Sequence, residues 1–254
     1  MKGCLKHPLR VTRRLIWLGG EFAFAGLNFL FHRYLAAPQT APEARRAKLV
    51  QLHGRRILRV INAEIKVSGS VPSNGLLVTN HLSYLDILVL GSLAPSVFVA
   101  KREIKSWPVF GWLTSLAGTV YVNREKRTHT GQAAQEIEAA LHSGVLVILF
   151  PEGTSSDGKT ILPFKSALLE PATRHPHSLS VGWIQYKIDD GEVGEEICYW
   201  KDMTLVPHLI NLLSKRSVRA SVKLAPLPNG SADRKELARQ LHAEVSRLKD
   251  ATAG

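Results

Sequence analysis

The sequence predicts an α/β fold, a mixed and mostly parallel sheet covered by helices, with an N-terminal helical segment that associates with a membrane. Three observations predict it. Apolar runs of strand length recur along the chain, stretches of helical period separate several of them, and a long apolar segment flanked by basic residues precedes them all. Strands alternating with helices indicate a sheet with both faces covered. A chain of 254 residues, 45% of them hydrophobic, is long and apolar enough for a sizeable core.

The first segment runs from Leu15 to Phe31, carries Glu21, and lies between Lys2, Lys6, Arg10, Arg13 and Arg14 on one side and Arg33 on the other. A cleaved signal peptide would place Glu21 inside its apolar region, and a spanning helix would carry positive charge at both ends. Arg45, Arg46, Lys48, Arg55, Arg56 and Arg59 follow downstream. Basic residues on both sides, with Trp17, Phe22, Phe24, Phe29, Phe31 and Tyr34 between them, suit a helix lying in one leaflet, with the flanking charges on anionic head groups. Pro38 and Pro42 mark a boundary, so residues 1–42 are read as the membrane segment and 43–254 as the main domain.

A basic helix is expected from Glu43 to Ile61. Strands are expected at Leu76–Thr79, Val97–Ala100, Thr119–Val122, Val145–Phe150, Leu179–Lys187 and Val218–Leu224. Helices are expected at Tyr84–Leu93, Thr128–His142, Thr204–Leu213 and Asp233–Leu248. The stretch Ser106–Asn123 has no charged residue and could pass for a membrane span by length. Pro108, Gly111 and Gly118 interrupt it, so it reads as an apolar helix or loop from Trp107 to Leu116 and then a strand. Trp107, Phe110 and Trp112 are either plain core or a second surface for lipid or an acyl chain.

Thirty-three Lys and Arg against 21 Asp and Glu give a formal charge of +12 and point to an anionic partner, without choosing among nucleic acid, membrane and phosphorylated substrate. Cys4 and Cys198 are far apart and in no metal-ligand spacing, which excludes a disulfide scaffold and indicates no metal.

Chemistry gathers at the ends of the expected strands. "NHLSYLDI", Asn80 to Ile87, follows the first apolar strand. His81 and Asp86 are five positions apart, about 140° around a continuous helix, and meet only if the chain bends between them. Ser83 followed by Asp86 three residues later reads as a helix N-cap, putting His81 on the preceding loop and Asp86 in the first turn. Either Asp86 orients the imidazole, or it only caps while His81 fills a corner. "FPEGTSSDG", Phe150 to Gly158, sets Glu152 and Gly153 at another strand end, where open α/β sheets hold ligands, and Arg124 ends a third strand. Three strand ends thus offer a base, a carboxylate and a cation at one sheet edge.

"NHLSYLD", "GTVYVNR" and "FPEGTSSDG" resemble, in order and spacing over roughly Val67 to Leu227, the first three motifs of the glycerolipid acyltransferase family. "AKREI" at Ala100–Ile104 and "LPFKSALLEPA" at Leu162–Ala172 resemble its intervening segments. The resemblance implies acyl transfer from an acyl thioester, acyl-CoA or acyl-carrier protein, to the free hydroxyl of 1-acyl-sn-glycerol-3-phosphate. His81 would be the base and Asp86 its orienter, Arg124 and Lys101 would hold the acceptor phosphate, and Glu152 and Gly153, with Thr154, would position either the acceptor's glycerol or the thioester oxygen. It implies no metal, no resident cofactor and no nucleic acid, and a monotopic enzyme on the cytoplasmic face of the inner membrane. Two departures stand out. Gly182 or its neighbour occupies the place where the fourth motif usually carries proline, and Ser166 replaces a frequent glycine. "CYWKDMTLVPHL", Cys198–Leu209, resembles a bacterial subset that includes enzymes acting on lyso-ornithine lipid, which is the alternative acceptor. A lipid hydrolase would want a nucleophile elbow, and no Gly-x-Ser-x-Gly occurs. A basic binding module would leave His81, Asp86 and Glu152 without a role.

Overall fold

The computed structural model describes residues 7–35, 42–107, 109–122, 127–174 and 177–251. Arg124, assigned to the acceptor phosphate, lies outside them. In chain order the helices are α1 (Pro8–Tyr34), α2 (Pro42–Val60), α3 (Leu85–Leu93), α4 (Phe110–Leu116), α5 (Arg127–His142), α6 (Glu170–Arg174), α7 (Val193–Glu196), α8 (Leu205–Ser214) and α9 (Arg234–Asp250). The strands are β1 (Ala63–Ser68), β2 (Gly75–Thr79), β3 (Ser96–Lys101), β4 (Val120–Val122), β5 (Leu146–Leu149), β6 (Leu179–Lys187) and β7 (Val218–Leu227). They form one sheet in the order β1-β7-β6-β2-β5-β3-β4, parallel throughout except for β6 against β7. The expected mixed, mostly parallel sheet is therefore present. Strand β1 was not foreseen: only alternate residues are even partly covered on this edge strand, so it offers no apolar run to read.

The sheet separates two cores, and side-chain alternation along each strand assigns residues to one or the other. Leu77, Ile148, Ile184 and Val222 pack beneath α1, α2, α3 and α8, whereas Val78, Val147, Val181 and Trp183 pack beneath α5 and α9. Strand β2, buried along its whole length, lies at the centre. Gly182 on β6 faces a narrow gap. A Cβ there would stand 2.8 Å from Thr79 Cγ2 and 3.1 Å from Leu224 Cδ2, and the residue is paired on both sides, so neither a side chain nor a proline fits.

Helix α1 is apolar on all sides but has two environments. Val11, Arg14, Leu18, Ala25 and Phe29 are buried against the domain, while Leu9, Ile16 and Leu27, on the opposite face, are 87%, 73% and 67% exposed. The basic residues of its first turns are not all free for head groups. Arg14 is buried, and its guanidinium donates to the carbonyls of Leu213, Lys215 and Arg216, while Arg10 donates to Ser214 O at 2.7 Å. Together they cap the C-terminal end of α8, where carbonyls lack helical partners and positive charge is favoured. Glu21 is explained by the same docking: its carboxylate receives two hydrogen bonds from Arg56 of α2, at 2.6 and 2.9 Å, and one from Trp17 Nε1 at 3.1 Å.

Candidate active site at the carboxyl edge of the sheet

The loop after β2 brings His81 and Asp86 together. Asp86 is 0% exposed and lies in the first turn of α3. Its Oδ2 accepts from His81 Nδ1 at 2.8 Å, Leu82 N at 2.7 Å and Ser83 N at 2.9 Å, and its Oδ1 accepts from the Tyr186 hydroxyl at 2.6 Å. The helix start differs from the expectation in one respect. It begins at Leu85 and the Ser83 hydroxyl has no partner. The acidic half of the cap is what forms, because the carboxylate reaches back to the loop amides while also holding the imidazole.

An ionised carboxylate only accepts, so His81 carries its proton on Nδ1 and leaves the Nε2 lone pair open. The ring stacks on Phe150 with centroids 4.1 Å apart and retains 20% side-chain exposure. Asn80 fixes the loop from below. Its side-chain amide donates to Ile184 O at 2.9 Å and its carbonyl accepts from Ile184 N at 2.8 Å, which extends the β2–β6 pairing beyond the end of β2.

Glu152 takes a different place from the one expected. Its carboxylate is buried and both oxygens are used by backbone amides: Oε1 accepts from His81 N at 2.8 Å and Oε2 from Leu162 N at 2.9 Å. It ties the loop after β5 to the histidine loop. Burial pushes its pKa up, against the two amide donors. Gly153 permits the tie: at φ 72° it takes a left-handed turn and its N–H closes on Phe150 O at 3.1 Å.

A third strap completes the site, and the sequence reading did not resolve it into roles. Tyr199 N donates to Leu82 O at 2.8 Å, and Ser155 Oγ donates to Tyr199 O. The segment is braced from behind by His208, whose Nε2 donates to Cys198 O at 3.0 Å and whose Nδ1 accepts from the Tyr84 hydroxyl at 2.9 Å. Burial lowers the His208 pKa, raises that of Tyr84 and pushes the Cys198 thiol up to about 12, so all three are neutral at physiological pH. Tyr84, Tyr199 and His208 fall inside segments that carried the resemblance, but their roles were not legible, and Tyr186 gave no local signal at all, since each meets its partner only across the tertiary structure.

His81 lines an apolar cavity of about 700 Å³, within the range of ligand-binding clefts. Phe22 and Phe29 of α1, Ile57 of α2, and Phe110 and Leu113 of α4 form its walls. Trp107 and Phe110 therefore face the cavity, whereas Trp112 packs against α1 at Gly26 and is half exposed. Gly153, Thr154 and Lys101 also line it, Lys101 from the carboxyl end of β3. Among the described residues no cluster of three or more His, Cys, Asp or Glu is arranged to hold a metal.

Residues 58–207 match the Acyltransferase family model. The chain is 35% identical over 187 residues to a lyso-ornithine lipid O-acyltransferase of Rhizobium meliloti, a match covering 68% of this chain and 64% of that protein. It is 34% identical to a Pseudomonas aeruginosa protein of the same description, covering 79% and 78%. A 1-acyl-sn-glycerol-3-phosphate acyltransferase of Neisseria meningitidis is 34% identical, covering 65% and 69%. The fold matches the crystal structure of the 1-acyl-sn-glycerophosphate acyltransferase PlsC from Thermotoga maritima with a TM-score of 0.63, at 24% identity, over 94% of this chain and 98% of that one. With the family model matched across more than half of the chain, this protein belongs to the acyltransferase family.

Proposed function

We propose that the protein transfers a fatty acyl group from an acyl thioester, acyl-CoA or acyl-carrier protein, to the free hydroxyl of a lysolipid at the cytoplasmic face of a membrane. The observation that supports this most is the Asp86-held His81, open at Nε2, beside an apolar cavity. The acceptor oxygen attacks the thioester carbonyl as Nε2 takes its proton. The C–S bond then breaks, and the thiolate leaves with that proton. Asp86 fixes the tautomer and stabilises the imidazolium, a role worth ~10²–10⁴-fold in general base catalysis. The apolar cavity suits an acyl chain.

The bare face of α1 supports monotopic attachment. It is a helix of 27 residues, long and apolar enough to cross a membrane, yet one side is committed to the domain and only the other is free to enter lipid.

For the acceptor, 1-acyl-sn-glycerol-3-phosphate is the substrate the motifs imply, with Lys101 and Arg124 as its phosphate ligands. A second reading, lyso-ornithine lipid, is favoured by the charges lining the cavity. Glu103 joins Lys101 and Lys201 there. An ornithine acylated on its α-amine carries both a carboxylate and an ammonium, whereas a carboxylate beside a phosphate would repel it. Direct competition between the two lysolipids for a limiting acyl thioester, with the products separated by mass, decides between them. Free fatty acid released without any acceptor would instead indicate a hydrolase.

A further inference from the structure

We infer that Tyr186 is a positioning residue that tunes the basicity of His81 through Asp86. The inference rests on the general-base reading above. Tyr186 is buried near the end of β6, and its hydroxyl is the sole donor to Asp86 Oδ1 among the described residues, at 2.6 Å. The other three donors converge on Oδ2. The hydroxyl arrives there by construction: Asn80 is locked to Ile184 by two hydrogen bonds, and Ile184 and Tyr186 point to the same face of β6. Burial beside a carboxylate disfavours the phenolate, so the group acts as a fixed neutral donor.

The chemical consequence follows from where the charge sits. A short hydrogen bond from a phenol withdraws negative charge from the carboxylate and so weakens its hold on an imidazolium. Without Tyr186, Asp86 would favour the protonated ring more strongly, leaving less of the neutral base at a given pH. The groups facing the imidazole are few. Asp86 comes from α3, Tyr186 acts through it from β6, and Glu152 approaches from the loop after β5 but bonds the His81 backbone. Lys101 from β3, Glu103 just after it, Lys201, His53 of α2, Tyr84 and Tyr199 line the shared cavity. Of these, Tyr186 alone bonds the carboxylate that holds the ring.

The test is Tyr186→Phe, read by the pH profile of kcat/KM and, without any acyl donor or acceptor, by the pH titration of the His81 ring resonances in NMR. The acid limb and the ring titration should both move to higher pH by about half a unit, so that kcat/KM on the acid limb falls by up to about threefold while the plateau above it does not fall and both KM values stay nearly unchanged. A 3-fluorotyrosine placed at position 186 keeps the hydroxyl and makes it a stronger donor, so it should move the limb the opposite way. This second variant also serves if the phenylalanine protein does not fold. A lowered Tm with both profiles superimposed on the wild type would show a merely structural tyrosine and overturn the inference. Wild-type protein that transfers no acyl group would overturn the proposed reaction instead, while the ring titration would still report on Tyr186.

Discussion

Asp86→Asn is the most demanding perturbation of the site, because it changes one atom in a fully hydrogen-bonded carboxylate. Three donors meet Oδ2 at 2.7 to 2.9 Å and one meets Oδ1 at 2.6 Å. An amide cannot set its NH₂ against the three, so it should direct its oxygen to them and its nitrogen to Tyr186, whose hydroxyl can turn to accept. The loop then persists at a cost of about 1–3 kcal/mol from weaker neutral bonds. The negative charge beside the imidazolium is lost. With no charge to stabilise the protonated base, kcat/KM should fall by about 10³-fold, close to 4 kcal/mol of transition-state stabilisation. Thiol release from an acyl thioester in the presence of lysolipid measures the rate, and thermal melting verifies folding. A folded Asp86→Asn protein with turnover within about tenfold of wild type would refute the general-base assignment.

Four further outcomes are expected. Burial raises the Glu152 pKa above its unfolded value, so its favourable contribution is complete below the ordinary glutamate range and is lost as pH rises through the raised value; the Tm of wild type relative to Glu152→Gln should therefore decline from acid toward neutral pH, and a constant difference would contradict this. Replacing Ile16 and Leu27 together by glutamate should abolish co-flotation with anionic vesicles while leaving Tm unchanged, because both side chains are exposed; flotation equal to wild type would refute attachment through this face. Gly182→Ala should cost about 1–3 kcal/mol in urea unfolding by overpacking against Thr79 and Leu224, and an unchanged midpoint would mean the strands give way freely. Arg124→Ala should lower kcat/KM for lysophosphatidate by about 2–5 kcal/mol if phosphate is the acceptor group, whereas Glu103→Gln should selectively impair lyso-ornithine lipid if the acceptor is zwitterionic. The two variants thus separate the acceptors.

The centre of the sheet was legible because β2 and β5 are buried on both faces, and a continuous apolar run survives any error in register. The edge strand β1 lacked that signal, having no buried face to advertise it. His81 and Asp86 were legible as a local pair, since a bend in the chain suffices to join them. Glu152 was legible as a residue but not as a contact: sequence puts a carboxylate at a strand end without showing whether it turns outward or onto backbone amides. Arg10 and Arg14 were read by composition as head-group contacts, whereas the carbonyls they cap belong to residues about 200 positions away. Tyr186 is of the same kind, 100 positions from its partner in sequence and 2.6 Å in space.

Under the proposed attachment, the docking of α1 would also determine where chemistry occurs relative to lipid. Phe22 and Phe29 of this helix form a wall of the cavity, while Ile16 and Leu27 point away from the domain. A single helix, about 10 Å across with its side chains, thus serves as the partition between the two apolar compartments. Because the cap on α8 and the Glu21–Arg56 pair hold that partition to the domain, the attachment proposed above would also fix the height of His81 over the lipid surface. In that attachment one helix would set both a wall of the cavity and the distance of the imidazole from lipid.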